Sequence, residues 1–226
     1  MHLKPTNKTL LIFDLDGTLI DSASDLAKAV NHMLCYLDKK PFDEEQIHHW
    51  VGNGALTLVK RALLGKRELD ETLDTDYTEK ALHIFLDYYR ANLCYATKPY
   101  PDVLTTLTNL KKKGYTLAIV TNKPYAFVTP ILKSLKMDGL FAKILGGDSL
   151  AEKKPHPAPL LHVCKTLGIA VEASVMVGDS KNDILAANAC KMDSVGVTYG
   201  YNYGEDIATY KPDFMIDNFS ELNSIL

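Results

Sequence analysis

The chain is poor in several features that would assign it quickly. Cysteine is scarce: Cys35, Cys94, Cys164 and Cys190 lie far apart in 226 residues, with no CxxC pair. That argues against a zinc knuckle or a dense disulfide framework, and the four are expected as reduced, buried thiols. No apolar run approaches the ~20 residues of a membrane-spanning helix. The apolar stretch in MHLKPTNKTLLIF is cut off by Asp14, too short for a signal segment. Charge of one sign is not in excess: the formal net charge is −3, and no stripe of Lys and Arg with interleaved aromatics occurs, which sets nucleic acid aside as a partner. Internal repeats and low-complexity tracts are also missing. What remains is an ordinary soluble protein, expected in the cytoplasm as a monomer or homodimer. At 46% hydrophobic residues it can bury a core for one domain or two small ones. An anionic ligand would need locally arranged charge.

Such an arrangement is suggested by TLLIFDLDGTLIDSAS, residues 9–24, where an apolar run from Leu10 to Phe13 meets two carboxylates, Asp14 and Asp16, and then Gly17. The run suits a strand buried on both faces. With a period of two, Asp14 and Asp16 project to the same side near its end, and Gly17 permits a sharp turn beside a ligand. Two carboxylates held close suit a divalent cation, or a nucleophile paired with a general acid. They also need positive charge nearby, because an unpaired buried carboxylate is costly.

After about residue 100, short apolar runs alternate with helical patterns. Residues 117–120, 142–147, 174–179, 194–200 and 213–216 read as strands. PDVLTTLTNLKKKG reads as a helix whose closing lysines and Gly114 are C-terminal signals, with the lysines solvated. This alternation predicts an α/β fold, a mostly parallel, Rossmann-like sheet flanked by helices, with its ligand site at the carboxyl ends of the strands. Residues 21–96 differ, carrying helical periodicity and almost no strand signal. Ser22 and Asp25 read as a capping box for a helix through Leu37, with Asp21 at its start, and further helical patterns follow Gly54 and Asp70. The expected division is therefore a sheet domain of residues 1–20 and 97–226 interrupted by an all-helical insertion, which leaves near the prolines of TKPYPD.

Three later stretches end strands. TNKP offers Thr121 and Asn122 either to phosphate oxygens or as a helix N-cap. In EKKPHPAPL, Lys154 precedes Pro155 and is held as a fixed charge, and the prolines at 157 and 159 open a helix to Gly168. VMVGDSKND places Asp179 just past a strand with Asp183 four residues on, as metal ligands or caps. Among other residues, His48 and His49 read as solvated. His156 reads either as an orienter of Lys154 or as a structural residue. Tyr199, Tyr201 and Tyr203 read as packing residues.

Taken together, DLDGTLID, the TN pair at 121–122, Lys154 and GDSKND resemble the haloacid dehalogenase superfamily over essentially the whole chain, and the helical insertion resembles its C1-type cap. The resemblance implies Asp14 as the nucleophile forming an aspartyl phosphate and Asp16 as general acid/base. It implies a Mg²⁺ ion held by Asp14, Asp179 and the main-chain carbonyl of Asp16, with Asp183 behind them. Thr121, Asn122 and Lys154 would bind the non-reacting phosphoryl oxygens. More narrowly, WVGNGA, GGDSLAEKKPHPAPL and TYGYNYGE resemble the phosphoglycolate phosphatase branch, which implies a small phosphorylated metabolite, 2-phosphoglycolate, as substrate. Main-chain N–H groups of Gly52, Asn53 and Gly54 are then expected at the substrate, with Lys60 and Arg61 as candidate partners for its carboxylate. Asp16 argues against a dehalogenase. A phosphatase for another sugar or amino-sugar phosphate such as N-acetylmuramate 6-phosphate, a sugar-phosphate mutase, and a phosphate-sensing or scaffold protein stay open.

Overall fold

The structure is a computed structural model and describes residues 8–70 and 72–226. The expectation that the leading residues carry no targeting segment concerns residues 1–7, which lie outside these. Among the described residues no helix is long and apolar enough to cross a membrane.

Leu10–Phe13 (β1) is fully buried, as its unbroken apolar run requires of a strand covered on both faces. Alternation divides its side chains. Leu11 and Phe13 join one apolar cluster with the helical segment described below, whereas Leu10 and Ile12 join a second with Leu160, Val163 and Met176. After β1 come Ile20–Asp21 (β2), Lys98–Pro99 (β3), Thr116–Val120 (β4), Lys143–Leu145 (β5), Ser174–Gly178 (β6), Asp193–Val197 (β7) and Phe214–Ile216 (β8). β1 and β4–β8 form one six-stranded sheet in the order β5-β4-β1-β6-β7-β8, and every pairing in it is parallel. Strand β1 therefore sits between β4 and β6, with Phe13 in register with Ile119 and Val177. The residues that follow these three strands emerge along one edge of the sheet, where ligands bind in open α/β sheets.

Between β2 and β3 the chain is helical: Ala23–Tyr36 (α1), Glu44–His48 (α2), Ala55–Leu64 (α3) and Thr75–Ala91 (α4). β2 and β3 pair antiparallel, Ile20 with Pro99 and Asp21 with Lys98, so entry and exit of this segment are tied side by side. The ribbon is too short to be read from sequence. The sheet is flanked by Val103–Lys112 (α5), Tyr125–Ser134 (α6), Ala158–Leu167 (α7) and Lys181–Ala189 (α8), with Leu222–Ile225 (α9) at the end.

The capping box expected at Ser22 and Asp25 does not form. Ser22 occupies the N-cap position without a side-chain capping bond. Its hydroxyl donates to Asp16 Oδ1 at 2.5 Å, while Asp25 accepts from the N–H groups of Ala96 and Thr97 and from Thr97 Oγ1 at 2.6–3.0 Å. Both capping side chains are drawn into tertiary bonds, which position an acid in one case and close the neck of the helical segment in the other. His48 is not solvated either. It is half-buried against the Tyr201 ring, centroids 4.5 Å apart, and burial lowers its pKa.

Candidate active site

Asp14, Thr121 and Asp179 directly follow β1, β4 and β6, so the parallel register alone brings them together. Lys154 reaches the same point from the loop before α7. Its ammonium, 1% exposed as a side chain, lies 3.0 Å from Asp14 Oδ1 and 2.6 Å from Asp183 Oδ1. The other Asp183 oxygen accepts from Ser180 N and Oγ at 3.0 and 2.9 Å, closing a capping box at the start of α8. Asp179 accepts from Thr18 Oγ1 and from Tyr201 N, both at 2.8 Å. Backbone crowds this carboxylate: a Cβ on Gly17, whose φ is +88°, would lie 2.3 Å from Asp179 Oδ2, and one on Gly200 2.1 Å from Asp179 Cβ. Glycine is required at both places because chain passes directly over the Asp179 carboxylate.

One carboxylate oxygen from each of Asp14, Asp179 and Asp183 can be chosen so that all lie within 4.8 Å of one another, in buried surroundings. Burial raises the pKa of Asp14, against the pull of Lys154, and burial likewise raises that of Asp179, with Asp183 adding to it. Burial also opposes the charge on Lys154, but Asp14 and Asp183 outweigh it and keep the ammonium protonated. Three buried carboxylates around one ammonium are short of positive charge. A hard divalent cation with oxygen ligands removes that imbalance, and Mg²⁺ fits the donor set. Both oxygens of Asp183 and both of Asp179 are already engaged by protein donors.

Asp16 stands apart from that cluster. Its Oδ1 accepts from Ser22 Oγ at 2.5 Å and from Lys123 Nζ at 2.8 Å. Lys123 is buried, and although burial works against its charge, Asp16 raises its pKa well above the ordinary value. Neither Ser22 nor Lys123 was expected at the site. A signal for Lys123 does exist in the sequence: it precedes Pro124 just past a strand end, the context that marks Lys154 before Pro155.

The helical segment covers these groups and encloses a cavity of about 40 Å³, lined on its side by Leu26, Val51, Leu58, Phe85 and Tyr89 and on the sheet side by Asp14, Asp16, Thr121, Asn122 and Lys123. Gly52 and Gly54 border it, but the main chain of the GNG turn makes its cross-segment bonds through carbonyls: Gly52 O accepts from Asn122 Nδ2 and Asn182 Nδ2 at 3.0 and 3.2 Å, and Asn53 O from Lys153 Nζ at 2.8 Å. Asn122 Nδ2 also donates to Lys154 O at 3.0 Å, so its side-chain amide fastens the turn and the lysine loop. Arg61 is turned onto Trp50 O and Arg67 O, 2.6 and 2.9 Å away, and neither it nor Lys60 borders the cavity. His156 accepts from Ala158 N at 3.1 Å at the start of α7, a structural role. The three tyrosines pack and hydrogen-bond: Tyr199 OH donates to Thr18 O, Tyr201 OH to Asp21 Oδ1, and Tyr203 OH accepts from Asn182.

Comparisons with known proteins agree on one kind of molecule. The family model described as haloacid dehalogenase-like hydrolase matches residues 11–197. A phosphoglycolate phosphatase of Colwellia psychrerythraea is 55% identical over 220 residues, covering 97% of each chain. One from Psychrobacter arcticus is 50% identical over 217 residues, 96% of this chain and 94% of the other. Among solved structures, a predicted phosphoglycolate phosphatase from Haemophilus somnus 129PT superposes with a TM-score of 0.91 at 42% identity, covering 97% of this chain and 98% of its own.

Proposed function

The chain belongs to the haloacid dehalogenase-like hydrolase family, and on that premise we propose that it hydrolyses 2-phosphoglycolate to glycolate and phosphate through an aspartyl phosphate on Asp14. The observation that carries this reading is the separation of two aspartates two residues apart. Asp14 sits in an electron-rich cluster with Lys154, while Asp16 is held by its own ammonium and hydroxyl. One carboxylate is thereby placed to attack and the other to transfer a proton.

Asp14 attacks phosphorus in line, and the bond to the ester oxygen breaks as Asp16 delivers its proton to that oxygen. Asp16 then takes a proton from a water that attacks the aspartyl phosphate, releasing phosphate and restoring the Asp14 carboxylate and the protonated Asp16. Thr121 Oγ1, the main-chain N–H of Asn122 and Lys154 Nζ hold the non-reacting oxygens, and a positioned donor of this kind contributes roughly 3 to 4 kcal/mol to a transition state. Asp14, Asp179 and the Asp16 carbonyl would hold Mg²⁺, which when bound offsets the repulsion between phosphate and nucleophile. Residues 21–96 act as the cap that excludes water and bulky substrates.

The substrate is supported by the relatives at 50% identity and above, which are phosphoglycolate phosphatases. The test compares kcat/KM for 2-phosphoglycolate with hexose phosphates, N-acetylmuramate 6-phosphate and nucleoside monophosphates. If one of these exceeds 2-phosphoglycolate by about tenfold, roughly 1.4 kcal/mol, the substrate is wrong and the phosphatase chemistry stands. Interconversion of a sugar phosphate without phosphate release makes the chain a mutase; no turnover with Mg²⁺ on any of them makes it a sensor or scaffold.

A further inference from the structure

Once Arg61 and Lys60 are seen to lie away from the cavity, a carboxylate on the substrate has no partner among the residues expected from sequence. The cavity nevertheless contains a cation. Lys123 Nζ is buried, borders the space on the side of the acid/base Asp16, and lies 4.9 Å from the centroid of the Tyr89 ring. The Tyr89 hydroxyl, on a residue 2% exposed that lines the same cavity, has the Lys123 ammonium as its polar neighbour, and among the described residues nothing accepts its proton. A buried hydroxyl whose proton finds no acceptor costs free energy unless a ligand completes it. Elsewhere on the helical side the lining is the apolar side chains of Leu26, Val51, Leu58 and Phe85, with Gly52, Gly54 and Ala55, so among the described residues no other charged side chain borders the cavity from that side.

We infer that Lys123 Nζ and Tyr89 Oη form a subsite for a carboxylate on the leaving group, which makes Lys123 a specificity-determining residue as well as the partner of Asp16. The spacing follows from the chemistry. Asp16 must reach the ester oxygen to protonate it, and in 2-phosphoglycolate a single methylene separates that oxygen from the carboxylate. A cation 2.8 Å from Asp16 Oδ1 is therefore within reach of the substrate carboxylate in the same pose. An ammonium has three donors, so Lys123 serves Asp16 and a carboxylate together, and the phenol gives that carboxylate a second hydrogen bond. A hexose leaving group would place a hydroxylated ring against the apolar side chains of Phe85 and Leu58.

The subsite rests on the phosphatase reading, so its test uses two substrates that share the chemistry and differ in the recognised group: 2-phosphoglycolate and 2-hydroxyethyl phosphate, whose leaving group carries a hydroxyl in place of the carboxylate. The readout is the ratio of their kcat/KM values in the wild-type protein, Lys123→Met and Tyr89→Phe, all with Mg²⁺. The wild type should prefer the carboxylate, and both variants should lower the ratio by about tenfold or more, as loss of a charged hydrogen bond implies. If Lys123→Met slows both substrates by the same factor, Lys123 acts only through Asp16 and the subsite is overturned while the phosphoglycolate reading survives. Should that variant fail to fold, the near-isosteric Tyr89→Phe decides alone, an unchanged ratio overturning the subsite. A wild-type protein that turns over both phosphates with no preference overturns the substrate reading and the subsite with it.

Discussion

Two buried lysines each pair with one of the two aspartates that follow β1, and they do opposite things. Lys154 lies between Asp14 and Asp183, with Asp179 close by, so its surroundings carry more negative charge than it can balance. Lys123 meets one carboxylate, and beside it lies the neutral phenol of Tyr89. The first set is short of a cation, the second has donors to spare for an anion. Each lysine follows a strand end or loop and precedes a proline, so local sequence does not distinguish them. The difference lies in how many carboxylates the sheet edge delivers to each.

Substitutions on the Lys154 side should cost most. Asp14→Asn should lose turnover by about 10⁴-fold or more, as loss of a nucleophile does, and phosphate release from the folded variant checks it. On the other side, Asp16→Asn should lose about 10² to 10⁴-fold yet keep its Mg²⁺ affinity by calorimetry. Complete loss of metal binding would merge the two sets and break the comparison. Without metal, Lys154→Met should be destabilising by about 3 to 5 kcal/mol, because it leaves buried carboxylates uncompensated. Mg²⁺ should then raise its Tm more than that of the wild type.

Metal addition sharpens the contrast further. Saturating Mg²⁺ at about 100 times its Kd should stabilise the wild type by about 2.7 kcal/mol, read as a thermal shift that Asp179→Asn reduces and Lys123→Met does not. The smallest effect belongs to the seam between the helical segment and the sheet domain. Burial lowers the pKa of His48, so the folded state disfavours its proton. Stability should therefore fall as pH drops through the unfolded value of about 6.5, and His48→Phe should flatten Tm against pH in that window.

Much of the site is legible in the sequence because it is local to strand ends. The Leu10–Phe13 run puts Asp14 directly after a strand, while Asp16 lies beyond it in the turn, outside the strand's alternation. The same logic places Asp179, and the prolines around Lys154 mark it. The strands and the helices after residue 100 follow from runs and periods whose cause is burial against one sheet. The two-residue ribbon and the single turn of α2 carry no period long enough to read.

Sequence by itself thus determined which residues end buried strands, since backbone pairing and apolar burial act over neighbouring positions. Only the tertiary structure decided what their side chains meet. Ser22 left a local cap for Asp16, Asp25 left it for Thr97, Asn122 turned its amide to the Gly52 carbonyl, and Lys123 found its carboxylate 107 positions away. A capping bond competes with water on nearly equal terms, whereas a polar group carried into the interior must be paired there or raise the free energy of the whole fold. The partner it takes is whichever group the packing of distant segments brings within 3 Å.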